Sequence, residues 1–80
     1  MPTALRDGPY RVYFYSHEPN EPPHVHLDRD DLSAKFWLNP VSLAYNLGFG
    51  ARELRLIERL INVNRAMLQE KWDGYFGVSG

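Results

Sequence analysis

The chain has 80 residues, with nine basic and ten acidic side chains, a formal net charge of −1 and no cysteine. A domain near this size buries only about 60% of the surface that its unfolded chain exposes, so one modest core is expected. The near balance of charge argues against a general polyanion binder, although a local basic patch stays open. The absence of cysteine excludes disulfides, thiolate zinc sites and cysteine nucleophiles.

The opening residues MPTALRDGPY lack the basic and then apolar pattern of a secretory signal, and no apolar run is long enough to cross a bilayer. We therefore expect a cytoplasmic, soluble protein without membrane contact, in which residues 1–80 form a single small domain. A core of this size gives little stability on its own, and a partner chain would add to it.

Up to about residue 46, apolar and polar residues alternate, which predicts β-strands. Three prolines in the segment HEPNEPP, residues 17–23, predict a loop because proline cannot donate to a strand ladder. The predicted strands are Thr3–Arg6, Tyr10–Ser16, His24–Asp28, Ser33–Leu38 and Val41–Leu47, with a short helix as the alternative for the last.

After Gly48 the apolar period becomes helical, and one helix is predicted from about Ala51 to Tyr75. Gly50 is the expected N-cap, and Glu53 is placed to reach back to it. The helix carries two neighbouring apolar stripes, the first formed by Leu54, Ile57, Ile61, Leu68 and Trp72 and the second by Leu56, Leu60, Val63 and Met67. A helix on a sheet needs one stripe, so the second predicts either deep burial or contact with a partner chain.

These elements predict an α+β fold, an antiparallel β-meander of four or five strands with one long C-terminal helix packed on one face. Because neighbouring strand residues point to opposite sides, the sheet has an apolar face for the helix and a second face of different chemistry. The second face is predicted to contain Arg11, Tyr13, Tyr15, His24, His26, Asp28, Lys35 and Trp37. Such residues can stack on bases and contact phosphates, or they can pair across strands and simply stabilise the sheet.

The segment EPPHVHL, residues 21–27, places His24 and His26 on the same side of one strand. One reading is catalytic, with a histidine as general acid or base in RNA cleavage and Arg11, Tyr13, Tyr15, Lys35 and Trp37 as binding residues. Another is a metal site in which Glu21 or Asp28 completes the pair, although His17 is the one further histidine. The third interpretation is that the pair is structural, and the sequence favours it over the other two.

The phrases YRVYFYSHEPNEPPHVHLDRD, AKFWLNPVSLAYNLGF, ARELRLIERLI and EKWDGYF resemble the bacterial family called domain of unknown function 4160. The resemblance covers nearly the whole chain. The positions that follow the family pattern are His24, His26, Lys35, Trp37, Gly48, Phe49 and Trp72.

The family's activity is unassigned, so the resemblance implies no enzyme class and no cofactor. Its members are often encoded beside, or fused to, a second small domain of unknown function, 2442, which implies a toxin–antitoxin-like two-gene module. The expected partner is a small protein or a second copy, bound through the C-terminal helix or a sheet edge, with RNA as a further candidate. The histidine strand also resembles, at the level of fold only, that of small messenger-RNA interferases.

Overall fold

The computed structural model describes residues 3–15 and 20–76. Its strands form one antiparallel sheet in the order β1-β2-β3-β4-β5, so the predicted meander is confirmed. The second strand is shorter than the predicted Tyr10–Ser16, because it ends at Tyr13 and Phe14 and Tyr15 follow it outside the strand. Ser16 itself lies outside the described residues. The elements are β1 Thr3–Asp7, β2 Tyr10–Tyr13, β3 His24–Arg29, β4 Leu32–Leu38, β5 Val41–Leu47, α1 Ala51–Val63 and α2 Arg65–Phe76.

The core lies between the helices and the sheet face that was predicted to be apolar. Its sheet residues include Val12, Val25, Leu27, Ala34, Phe36 and Leu38, with Phe14 just after β2, and its helix residues are Ile57, Ile61, Leu68 and Trp72. Full burial of one large aliphatic side chain stabilises the fold by roughly 1.5–3 kcal/mol, so this layer holds the helices on the sheet. The first predicted helix stripe is therefore the core stripe.

The prediction of one long helix is wrong, because Asn64 separates α1 from α2. The Asn64 side chain donates to the Leu60 carbonyl oxygen at 2.9 Å, which is the local competition with the helix ladder that asparagine favours. Arg65 then donates from Nε to the Leu38 carbonyl oxygen at 2.7 Å and ties the start of α2 to the end of β4. In the described part of the chain, no helix is long and apolar enough to span a bilayer.

The second predicted stripe divides between core and solvent. Leu60 and Met67 are partly buried and pack against the core. Leu56 and Val63 are exposed, at 54% and 78% of their surface. Packing against the core therefore accounts for half of the stripe, and the other half is exposed.

Helix α1 begins after Gly50, as predicted, but Glu53 is used differently from the prediction. Its Oε2 accepts from Arg29 Nε and from the Tyr10 hydroxyl, both at 2.6 Å, and its Oε1 accepts from Arg29 Nη2 at 2.8 Å. These bonds hold the pKa of Glu53 below its ordinary value, with the Arg29 bond as the largest cause. The three side chains join β2, β3 and the first turn of α1.

The connection from β5 to α1 is closed by Asn46. Its side chain donates to the Phe49 carbonyl oxygen at 2.9 Å and accepts from the Phe49 N–H at 3.0 Å, and this sets the buried Phe49 ring into the core. Gly48, between them, has a φ of +106°, and a Cβ built there would lie 2.4 Å from Leu32 Cδ2. The backbone conformation favours glycine here, whereas the end of the Leu32 side chain could shift to make room.

Candidate functional site

The strand register places the predicted site residues on the sheet face away from the core. One row across this face runs from Tyr13 to His26, then to Lys35 and Tyr45, each residue opposite the next on the neighbouring strand. A second row pairs His24 with Trp37, and a third pairs Arg11 with Asp28. We call the set formed by Arg11, Tyr13, Tyr15, His24, His26, Asp28, Lys35 and Trp37 the histidine face.

Tyr13 is a buried donor at one end of the histidine face. Its hydroxyl donates to the Asp28 carboxylate at 3.0 Å, and Ser33 donates to the same carboxylate at 2.8 Å. Burial, followed by the nearby Tyr15 and Asp28, raises the pKa of the Tyr13 phenol well above its ordinary value. Tyr13 therefore stays protonated at neutral pH and its hydroxyl continues to donate to Asp28. On the Tyr13 ring, Arg11 Cζ lies 4.7 Å from the centroid.

His26 is enclosed by aromatic rings and is only 4% exposed. Tyr13 stacks on it with ring centroids 5.4 Å apart and an interplanar angle of 20°, and Tyr15 meets it edge-on at 4.7 Å. Aromatic pairs of this geometry each contribute about 0.5–1.5 kcal/mol beyond the area that they bury. The imidazole is thus part of an aromatic cluster rather than a half-exposed strand residue.

His24 is fully buried at the start of β3, where the histidine face meets α2. Its ring lies 4.9 Å from Trp72 of α2 and 5.2 Å from His26, measured between centroids. Its Nδ1 is 2.9 Å from the Pro22 carbonyl oxygen, which can only accept, so Nδ1 carries the proton. Pro22 and Pro23 therefore restrict the backbone before the strand, and the Pro22 carbonyl oxygen also holds the His24 ring by a hydrogen bond.

Lys35 and Trp37 form the outer part of the face with Glu21. Lys35 Nζ lies 2.5 Å from Glu21 Oε1 and 4.7 Å from the Trp37 ring centroid. The Lys35 side chain is only 12% exposed, and the carboxylate of Glu21 compensates its charge. A phosphate would have to compete with that ion pair to bind here.

The histidine face brings together all seven residues that the sequence predicted for catalysis and binding. In the neutral form, the tautomer of His24 makes Nε2 the accepting nitrogen of the ring. Among the described residues, no buried side-chain nitrogen lacks a hydrogen-bond partner, so a substrate or a metal ion would have to compete for this atom. A substrate can reach that atom only by displacing its neighbours, because the ring is buried. The catalytic role of His24 and His26 stays a prediction.

A metal site on the same pair also stays a prediction. Residues 3–15 and 20–76 contain no group of three or more His, Asp or Glu residues placed to hold a metal ion. The two carboxylates considered as third ligands have other partners, since Asp28 accepts from Tyr13 and Ser33 and Glu21 pairs with Lys35. His17 lies outside the described residues.

The β5 edge of the sheet exposes three large apolar side chains. Leu43 and Tyr45 are each 43% exposed and Leu47 is 60% exposed. In the described part of the chain, β5 pairs on one side only, with β4, so the backbone N–H and C=O groups on its other side have no strand partner. We call Leu43, Tyr45 and Leu47 the β5 edge patch.

A β-bulge distributes this patch over both sides of the sheet. Phe36 is opposite Leu43 whereas Lys35 is opposite Tyr45, so Ala44 is an extra residue in β5. Leu43 thus lies on the core side of the sheet, and Tyr45 and Leu47 lie on the side of the histidine face. The unbroken alternation predicted for Val41–Leu47 missed this bulge, which a pattern of small and apolar residues does not reveal.

The two edges of the sheet differ in their protection. Soluble proteins protect edge strands with charges, prolines, bulges and short length, because an open edge invites another strand. β1 has five residues including Arg6 and Asp7, and its register shifts between Thr3 and Leu5. β5 has seven residues, none charged and none proline. Of the protective features named above, β5 has the bulge alone.

Fold and site together define a single-sheet α+β domain with helices on one face and a largely closed histidine and aromatic cluster on the other. The chain belongs to the family described as Domain of unknown function (DUF4160), whose profile matches residues 10–73. No curated protein matches the chain, and neither does any solved structure. The family description assigns no activity, so the arguments for function rest on the geometry.

Proposed function

We propose that this domain acts in the cytoplasm as the partner-binding component of a toxin–antitoxin-like two-gene module, and that a strand of a small partner protein pairs with β5. The observation that carries the proposal is the β5 edge patch, uncharged and exposed on both sides of the sheet. A strand added to this edge would cover Leu43 with one of its faces and Tyr45 and Leu47 with the other.

Pairing of a partner strand with β5 would add favourable interactions that an isolated edge lacks. Each new backbone hydrogen bond contributes about 0.5–1.5 kcal/mol net, and full burial of a Leu side chain contributes roughly 1.5–3 kcal/mol. Ordering the partner strand and losing translational freedom oppose these gains. A pre-formed rigid strand such as β5 lowers the ordering cost on this side of the interface.

The two-gene context supports the identity of the partner. Members of the family are often encoded beside, or fused to, a second small domain of unknown function, 2442, and this arrangement resembles a toxin–antitoxin module. The expected partner is therefore the small protein encoded by the adjacent gene. RNA binding or cleavage at the histidine face has less support, since His24 and His26 are buried and Lys35 is paired with Glu21.

The test is co-expression with the product of the adjacent gene, followed by co-purification and mass measurement in solution. The wild-type chain should be monomeric alone and form a one-to-one complex with its partner. Tyr45→Lys combined with Leu47→Lys should keep the monomer folded and abolish the complex. Asp7→Lys, which adds a lysine to the β1 edge, is the matched control and should leave the complex intact.

Two results would contradict the proposal. One is a complex that survives the double substitution at β5, and the other is a chain that assembles with itself through β5 in the absence of the partner. Growth and RNA integrity in the same cells test the RNA alternative through His24→Gln and His26→Gln. If both variants lose toxicity and RNA cleavage at unchanged melting temperature, the histidine face is the active site instead.

A further inference from the structure

The outward side of α1 carries a regular stripe that the core does not use. Arg52, Leu56, Arg59 and Val63 follow one another at spacings of four, three and four residues, which places them along one side of a helix. This side is opposite Ile57 and Ile61, which are fully buried. All four stripe residues are exposed.

This side of α1 has an excess of positive charge. Arg52, Arg55 and Arg59 are exposed, and none forms a hydrogen bond or ion pair with any residue in 3–15 or 20–76. By contrast, Arg29 and Arg65 on other surfaces each have partners. Glu58 is the single acidic residue beside the three arginines. The local excess of positive charge contrasts with the net charge of −1 of the whole chain.

We infer that the outward side of α1 is a docking surface for an acidic amphipathic helix of another protein. Apolar residues of such a helix would cover Leu56 and Val63, and its carboxylates would pair with Arg52, Arg55 and Arg59. Arginine suits this role because its guanidinium binds carboxylates through two parallel hydrogen bonds. The surface is separate from the β5 edge patch, and the inference does not depend on the function proposed above.

A second copy of this chain does not fit the same surface. Antiparallel packing of α1 on α1 about the middle of the stripe would bring Arg55 of each copy close to Arg59 of the other copy. Like charges in such an arrangement oppose association. Glu58 would offset only part of this repulsion, so an acidic surface on a different protein suits the stripe better than a second copy.

Nucleic acid fits the stripe less well than an acidic helix. Phosphates would pair with the arginines, but Leu56 and Val63 lie between them in the same stripe and have nothing apolar to contact on a sugar–phosphate backbone. The net negative charge of the chain also weakens long-range attraction of a polyanion. An amphipathic helix satisfies both kinds of residue at once.

The experiment measures binding of three probes to the folded chain by fluorescence anisotropy. The first probe is a stapled helical peptide of two heptads with Leu at positions a and d and Glu at e and g. The second has Lys in place of each Glu, and the third is a short RNA duplex. Binding to the Glu peptide should be the tightest, and raising the salt concentration should weaken it.

Charge reversal supplies the matched variants. Arg52→Glu combined with Arg59→Glu should weaken the Glu peptide by about tenfold or more and should create binding to the Lys peptide. Arg6→Glu, the same change at an exposed β1 site, should alter neither, and Tyr45→Lys with Leu47→Lys should still bind the Glu peptide. Unchanged melting temperatures verify folding. No binding of the Glu peptide, equal binding after charge reversal, or tighter binding of the RNA duplex would each overturn the inference.

Discussion

The centre of the sheet and its β5 edge reverse the usual distribution of polar and apolar side chains. β3, at the centre, buries His24 and His26, whereas β5 exposes Leu43, Tyr45 and Leu47. Buried polar groups require partners, and large apolar groups normally leave solvent. The difference indicates that the histidines are held by packing. We propose that a partner covers the exposed apolar residues of β5.

The substitution with the largest expected effect on stability is at His24, and Leu47 at the β5 edge is its comparison. His24→Ala should lower the free energy of unfolding by about 2–4 kcal/mol, because it empties a buried site beside Trp72 and leaves the Pro22 carbonyl oxygen without its donor. Leu47→Ala should change it by less than about 0.5 kcal/mol, since that side chain is mostly in solvent. Urea unfolding of both variants measures the two values.

A larger loss of stability in Leu47→Ala than in His24→Ala would contradict this contrast between the two regions. A large loss in Leu47→Ala would mean that β5 is part of the core of the isolated chain. A neutral His24→Ala would mean that the centre of the sheet tolerates change at this residue. That outcome would favour a functional reason for the histidine.

A smaller change in stability is expected for alanine substitutions at two glycines, and the two should have opposite signs. Gly48 follows β5, and Gly74 lies in α2. Gly48→Ala should cost about 1–3 kcal/mol, because alanine is strained at a φ of +106° and its Cβ would meet Leu32. Gly74→Ala, within α2, should gain about 0.5–1 kcal/mol, since nothing lies within 4 Å and alanine favours a helix. Thermal unfolding gives both signs, and equal signs would contradict the account of the turn after β5.

The smallest effect is a pH dependence outside both regions, at Glu53. Its folded pKa lies below the ordinary value of 4.5, mainly because of the Arg29 bond. The unfolded chain therefore binds the proton more tightly, so this stabilisation is present above pH 4.5 and is lost as the pH falls through the folded pKa. The melting temperature of the wild type should exceed that of Glu53→Gln at neutral pH, and the gap should close in acid. A gap that is constant with pH would contradict the assignment.

The sequence predicted the sheet well because its alternating pattern, prolines and turn residues act locally. The five strands, the core face and the start of α1 at Ala51 all follow from such local signals. The break at Asn64 was missed because one side-chain hydrogen bond to Leu60 competes with a strong helical pattern. The use of Glu53 by Arg29 was missed because it joins residues 24 positions apart.

The residues of the histidine face were predicted correctly to share one side of the sheet, but their burial was not predictable in the same way. Burial of His24 depends on Trp72, which comes from α2, and no local pattern shows where that ring will lie. Exposure at β5 depends on strand order and on the bulge at Ala44. Both are properties of the assembled sheet.

Amide hydrogen exchange of the chain alone and in complex with the product of the adjacent gene tests whether a partner strand pairs with β5. The outward N–H groups of β5 should exchange quickly in the free chain and slow by about tenfold or more in the complex, because a partner strand would accept their hydrogen bonds. The amides of β1 should exchange at the same rate in both states. Protection that appears at β1, or β5 amides that exchange equally fast with and without the partner, would contradict the assignment of β5 as the partner-binding edge.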